Sequence, residues 1–257
     1  MLIMNRDKEL CRRLHSFGLL TTRQVAATLF PGIALTTILR RLRKLEEATY
    51  IRRIEGLLNN EKAWALTNEG ANLVSVQNSK VHFRKDQLDH DLKLTELRLA
   101  LEACGIVRSW IPEHEIRAKV SRGSSFDKTR HLLIPDGILG VEHNGFKESL
   151  ALELELNYKN SRRYERIFCG YEQKKNLWGV WYLVSNEMLG RSIKKVAERE
   201  LKYNQKLKFF WSTVDDVISN PLDAKLYGRN ETHKLSEIFA TNPGIKPAQQ
   251  RAHEVST

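Results

Sequence analysis

At 257 residues, 41% hydrophobic and 28% charged, the chain has the composition of a soluble globular protein with room for one large core or two smaller ones. No apolar run approaches the ~20 residues that span a bilayer, and the opening MLIMNRDKELCRR lacks the features of a signal peptide, so no membrane partner is expected. The net charge of +11 is uneven, with 15 Lys/Arg against 7 Asp/Glu in residues 1–85 and 27 against 24 in the remainder. A basic first third points to a polyanionic partner, with an idle solvated surface as the plainer alternative.

The elements follow in chain order. Residues 5–17 place Leu10, Leu14 and Phe17 at helical spacing, with Gly18 as a stop. In TTRQVAATLF, Thr21 and Gln24 form a capping box, and Pro31-Gly32 ends this second helix. A third helix from about Leu35 has an apolar stripe of Leu35, Ile38, Leu39, Leu42 and Leu45. Thr37, Arg40, Arg41 and Lys44 recur on another face. Tyr50–Glu55 and Lys62–Leu66 read as strands around a loop with Gly56 and Asn59-Asn60, and a further helix opens at Thr67-Asn68-Glu69-Gly70.

Three helices, a basic hairpin and a closing helix resemble a winged helix-turn-helix over residues 1–76. That resemblance implies a third helix in the major groove of double-stranded DNA and a wing across phosphates. Thr36, Thr37, Arg40, Arg41 and Lys44 are the expected helix contacts, and Arg52, Arg53 and Lys62 those of the wing. Two-fold half-sites, common among such binders, set a homodimer as the expectation.

Residues 77–89 are polar and weakly patterned and read as a linker. A second domain is expected over residues 90–226, before a polar tail at 227–257. Its expected elements are a helix at Leu88–Cys104, strands at Ile106–Ile111, Ile116–Val120, Leu132–Val141 and Leu150–Asn157, and an exposed loop at Ser121–Arg130. A helix at Asn160–Lys175 follows, with Tyr164, Ile167, Phe168 and Tyr171 inward and Arg162, Arg163 and Arg166 outward, the last three as further phosphate contacts. Trp178–Val184 is a buried strand, Glu187–Asn204 a basic helix and Lys208–Trp211 a short strand. The fold class is α/β (α+β), a mixed sheet flanked by helices behind the N-terminal module. Cys11, Cys104 and Cys169 are too scattered for a zinc knuckle or a disulfide framework and fit a reducing cytoplasm, the expected location.

The chemistry concentrates in LLIPDGILGVEHNGFKESLALELELNYK. Glu153 and Glu155 alternate on one strand and so share a face. Asp136 would join them if the flanking runs pair as a hairpin. Three gathered carboxylates make a hard-cation site for Mg²⁺ or Mn²⁺, of the kind that cuts phosphodiesters; a merely polar sheet face is the alternative.

The arrangement is similar to the PD-(D/E)xK restriction-endonuclease-like fold, with Asp136 matching the first acid and Glu153 or Glu155 the second. The usual lysine two residues on is absent, since Glu155 and Asn157 occupy those positions, so catalysis would rely on a migrated base such as Lys159 or on a second metal held by the extra glutamate. HDL at a helix start, IPDGIL and ALELELNYKNSRRYERI also resemble the replication-relaxation family of plasmid and mobile-element mobilisation proteins. That resemblance implies recognition of the element's own DNA, then nicking or processing at an origin or transfer site, with other mobilisation or replication proteins as partners. The alternative is a non-catalytic transcriptional regulator or replication initiator whose second domain dimerises or clamps DNA.

Overall fold

The computed structural model describes residues 1–55, 61–77, 83–123, 133–201 and 206–240, which form two compact units, Met1–Thr95 and Glu96–Thr257. The chain is mixed α/β, with a small three-stranded sheet in the first unit and a seven-stranded sheet in the second.

In the first unit, α1 (Asn5–Phe17) buries Leu10, Cys11 and Leu14. It ends where Gly18, at φ +81°, donates its N–H to Leu14 O at 2.9 Å. A positive φ of this kind is one that glycine adopts without strain. Strand β1 (Leu19–Thr21) leads directly into α2 (Thr22–Leu29). There Gln24 N donates to Thr21 Oγ1 at 3.2 Å and Thr21 N to Gln24 Oε1 at 2.8 Å, the reciprocal box expected from the sequence.

Helix α3 (Leu35–Glu47) turns Ile38, Leu42 and Leu45 inward. Leu35, expected on that stripe, instead stands 46% exposed in the first turn beside exposed Ile33. Strands β2 (Ile51–Ile54) and β3 (Ala63–Leu66) pair antiparallel, and the sheet order is β1-β3-β2. The fully buried Trp64 donates its indole N–H to Thr22 Oγ1 at 3.0 Å, tying β3 to α2. Helix α4 (Asn68–Leu73) is capped by Thr67, whose hydroxyl accepts from Gly70 N at 3.1 Å.

The expected loop around Gly56 and Asn59-Asn60 lies outside the described residues. So does part of the expected linker, 78–82. Its last residues, Leu88 and Asp89, open helix α5 (Leu88–Ala103), and Leu88 packs with Leu19, Ile54 and Ala65. The division between the units falls within α5.

In the second unit, β4 (Ser109–Pro112), β5 (Gly137–His143) and β6 (Phe146–Glu155) form an antiparallel meander. The tight turn at Asn144 (φ +51°) and Gly145 (φ +79°) joins β5 to β6. Helix α7 (Ser161–Glu172) and helix α8 (Glu187–Glu200) are crossovers that make β6, β7 (Gly179–Val184) and β8 (Lys208–Thr213) parallel. Both helices pack with Ala151, Val180, Tyr182, Phe209 and Trp211, one face of the sheet. On alternate positions, Trp181 donates to Ser212 Oγ at 3.1 Å and lies against Phe239.

Three expectations are corrected. Ile116–Val120 is part of helix α6 (Glu113–Gly123), not a strand. Ile116 and Val120 are separated by four residues, a helical spacing, and Glu113 pairs with Arg117 one turn on. The strand expected at Ile106–Ile111 begins only at Ser109. The region from 227 onward is not only a tail. After α9 (Val214–Ser219) come β9 (Lys225–Tyr227), β10 (Thr232–Lys234) and α10 (Leu235–Ile238), which extend the sheet to the order β10-β9-β8-β7-β6-β5-β4. Leu226, Leu235 and Phe239 are fully buried there, so apolar residues spaced too widely for a periodic signal still supply core.

Gly190, in the first turn of α8, marks a close helix–sheet approach in this layer. A Cβ there would sit 2.2 Å from Trp211 Cε3, inside a ring that is itself buried. We predict that Gly190→Ala destabilises the protein by roughly 1–3 kcal/mol, the usual range for overpacking a filled core. The denaturant midpoint checks this, and an unshifted midpoint would contradict the packing described.

Candidate carboxylate site and basic surfaces

The β5–β6 register sets the site. Gly137 lies opposite Leu152, so one step beyond the ladder Asp136 faces Glu153. The parallel register places Glu153 beside Tyr182 and Glu155 beside Val184. Side chains alternate along a strand, so Ala151, Glu153 and Glu155 all point toward α7, whose Tyr164, Phe168 and Tyr171 bury there. The two glutamates thus lie in an aromatic layer rather than on a solvated sheet face.

Each acid has a distinct partner. Asp136 Oδ2 accepts the backbone N–H of Leu154 at 2.7 Å, standing in for a strand where the ladder has ended. Glu153 Oε1 accepts a hydrogen bond from the Tyr171 hydroxyl. Glu155 pairs with Lys159, whose Nζ is 2.8 Å from Oε2, and its side chain is only 7% exposed. The Tyr164 hydroxyl accepts from Lys159 N at 3.0 Å and interacts with Glu155. Tyr164 is fully buried, and burial, then the charge of Glu155, pushes its phenol well above the usual range. It is a packed, hydrogen-bonded core residue rather than an exposed nucleophile.

Burial chiefly, then the neighbouring Asp136 charge, pushes Glu153 up to about 8, against the pull of Tyr171 and Lys159. Burial raises Glu155 as well, with Lys159 opposing. The ligand atoms of Asp136, Glu153 and Glu155 do not all lie within 4.8 Å of one another, so the expected three-way gathering is not formed. What is formed is a pair of mutually repelling acids, Asp136 and Glu153, flanked by the Glu155–Lys159 ion pair.

That pair suits Mg²⁺ or Mn²⁺. The donors are hard oxygens, and Mg²⁺ usually takes only one or two carboxylates while keeping several waters. A further polar atom belongs to the same space. The hydroxyl of Tyr182 is buried in the field of Glu153 and Glu155 and has no hydrogen-bond partner among the described residues. Sequence reading gave Tyr171 only an inward, packing position and Tyr182 only a place in a buried strand, because their approach to Glu153 depends on a helix crossover and a parallel pairing.

The basic residues divide by surroundings. Thr36, Thr37, Arg40 and Lys44 are exposed on α3, together with Arg43, which sequence reading passed over although it stands three residues after Arg40. Arg41 is committed elsewhere. Its Nε donates to Asp7 Oδ1 at 2.9 Å, its Nη2 bonds Oδ2 and reaches Leu2 O at 3.0 Å, and Asp7 is buried. Arg53 donates to Glu46 Oε2 at 3.0 Å and lies over Trp64, Arg52 lies over Phe83, and Lys62 is half-buried. Arg162, Arg163 and Arg166 are exposed on α7, and Arg163 acts electrostatically on Glu155.

A model of the replication-relaxation family matches residues 12–177, which is more than half of the chain. The chain belongs to that family, which gives it a role in mobile-element replication or relaxation. The matched span holds all the acids of the site and ends before β7 and Tyr182. No curated protein and no solved structure matches significantly. No helix among the described residues is long and apolar enough to cross a membrane.

Two predictions follow from the acids. A carboxyl raised in the folded state holds a proton that the unfolded chain has lost, so its stabilisation is complete below the ordinary value of 4.5 and falls as pH rises to about 8. Metal-free protein should therefore lose stability across that window, and Glu153→Gln should flatten the loss, as read by thermal midpoint against pH. In the second, Asp136→Asn keeps an oxygen for Leu154 N–H and leaves stability within ~0.5 kcal/mol, whereas Asp136→Ala costs about 1–2 kcal/mol. Equal midpoints for the two variants would remove the strand-capping role.

Proposed function

We propose that this protein binds duplex DNA of its own mobile element through the first unit and nicks or cleaves it at an origin or transfer site through the second, with Mg²⁺ or Mn²⁺ as cofactor. The observation that carries the reading is the return of Lys159 to the acids. A lysine missing from its usual position two residues after the acid arrives from four residues after Glu155, at 2.8 Å, and acts electrostatically on Glu153 as well.

Asp136 and Glu153 are the residues that would hold the cation, which when bound polarises the scissile phosphate and lowers the pKa of an attacking water. Glu155 fixes the Lys159 ammonium, leaving it about one-third exposed, so its charge can meet a phosphate oxygen as negative charge develops. Tyr171 holds the Glu153 carboxyl in a single orientation. The exposed Arg162, Arg163 and Arg166 supply charge for flanking phosphates.

For the first unit, we read the small sheet and α1–α4 as a winged helix-turn-helix with α3 as the groove helix. Arg40, Arg43 and Lys44 are its exposed cations, and Arg41 holds α3 through Asp7. Replacing Arg40, Arg43 and Lys44 together with Ala should weaken DNA binding at least tenfold and lower the salt slope by roughly 2–3, about 0.9 per lost phosphate contact. Unchanged affinity and slope would place the DNA surface elsewhere.

A second reading is favoured by one observation: Asp136 and Glu153 both have protein hydrogen-bond partners that need no cation. In it, the second unit is a non-catalytic clamp or dimerisation module of a regulator or initiator. Supercoiled plasmid carrying the element's own locus separates the two, incubated with Mg²⁺ or Mn²⁺ against chelator. We expect metal-dependent nicking that is lost in Asp136→Asn and Glu153→Gln while band shifts persist. Shifts without strand breaks in the wild type would decide for the second reading.

A further inference from the structure

The hydroxyl of Tyr182 and the indole Nε1 of Trp211 are buried polar atoms of the second unit's helix-covered layer without a hydrogen-bond partner among the described residues, and the hydroxyl is the one on the strand next to the acids. Tyr182 is 1% exposed in the middle of β7, and its hydroxyl has no hydrogen-bond partner among the described residues. The other two phenols of the layer are engaged, Tyr171 with Glu153 and Tyr164 with the Lys159 amide. Buried hydroxyls are normally satisfied by protein or by ordered water, because desolvation without a bond is uncompensated.

The position of this hydroxyl narrows what its partner can be. Tyr182 is the register neighbour of Glu153 and shares its face of the sheet. It feels the charges of Glu153, Glu155 and, more weakly, Asp136. Phe168, Phe209 and Tyr164 lie against its ring at centroid distances of 5.7, 6.0 and 6.4 Å, so its polar surroundings are the acids and the Tyr164 phenol, which is itself engaged by the Lys159 amide. A phenol both donates and accepts, which matches water, and water accompanies Mg²⁺ into protein sites.

We infer that Tyr182 is a positioning residue whose hydroxyl hydrogen-bonds a water in the hydration shell of a divalent cation held by Asp136 and Glu153. This rests on the metal-site reading above and adds a residue that lies beyond the family-matched span. It accounts for an acid pair that can hold a cation without Glu155.

The test is Mn²⁺ binding to the full chain without DNA, by calorimetry and by loss of the free-ion paramagnetic resonance signal, in wild type and Tyr182→Phe. Removing an outer-shell partner usually costs 10–100-fold in metal affinity, so at least a tenfold weaker Mn²⁺ affinity is expected. The metal-free thermal midpoint of the variant should be unchanged or higher, since the lost hydroxyl has no partner in that state.

Affinity within twofold of wild type overturns the inference while leaving the metal site intact. A lowered metal-free midpoint also overturns it, because the hydroxyl would then already have a partner such as a trapped water. Wild-type protein that binds no Mn²⁺ overturns the metal-site reading and this one together. Should Tyr182→Phe not fold, ¹³Cζ-tyrosine magnetic resonance of the wild type reads the same contact. Mg²⁺ must then shift the Tyr182 signal, and a signal unmoved at saturating Mg²⁺ overturns the inference.

Discussion

The second unit depends on the parallel pairing of β6 with β7. That pairing requires a crossover, and the crossover is α7, which buries Tyr164, Phe168 and Tyr171 on the face that Glu153 and Glu155 share. A carboxylate placed there must be bonded or protonated, and the structure uses a different device for each acid. Glu155 receives an ammonium, Glu153 receives a phenol and holds its proton more tightly, and Asp136 receives a backbone amide at the strand end. Had β6 and β7 been shifted by one residue, both glutamates would have faced the layer of Trp181 and Phe239.

A comparable economy operates in the first unit, where one buried acid organises several groups. Asp7 accepts from Met4 N at 2.7 Å at the start of α1 and binds the Arg41 guanidinium from α3. The angle of α3 against α1 is therefore held by a charge pair, and removing Arg41 would strand Asp7 in the interior. Positive charge in this unit consequently has two jobs. Arg41 and Arg53 hold the fold together, while Arg40, Arg43 and Lys44 remain exposed. Net charge alone does not separate these groups; the position of an acid does, 34 residues from Arg41 and seven from Arg53.

Local signals were the most legible part of the chain. Gly18 as a stop, the Thr21–Gln24 box, the Thr67 cap and the inward face of α7 all follow from spacings within one or two helical turns. The features that escaped are those whose cause lies far away in sequence. Strand β1 is only Leu19–Thr21 and exists because β3 pairs with it. Ile116 and Val120 are β-branched and invite a strand reading, yet their four-residue spacing and the Glu113–Arg117 pair favour a helix. The apolar residues after Tyr227 are too few for periodicity, but β9 and β10 need them to cover the sheet. For the site, alternation correctly put Glu153 and Glu155 on one face. It could not reveal that Glu155 turns to Lys159 while Asp136 and Glu153 remain neighbours, because that depends on where the β5 ladder stops.

The bond from Asp136 to Leu154 N–H also bears on how such a protein would age in evolution. An acid that closes a strand end is retained by selection for folding even after selection for cleavage has ceased. A lineage that gave up cutting DNA could therefore keep Asp136 unaltered and still carry a Pro-Asp signature. Decay would appear first at positions that the fold itself does not need, and Tyr182, whose hydroxyl has no hydrogen-bond partner among the described residues, is one of these. Among relatives, a phenylalanine at that position would be a better sign of a retired site than the persistence of its aspartate is of a working one.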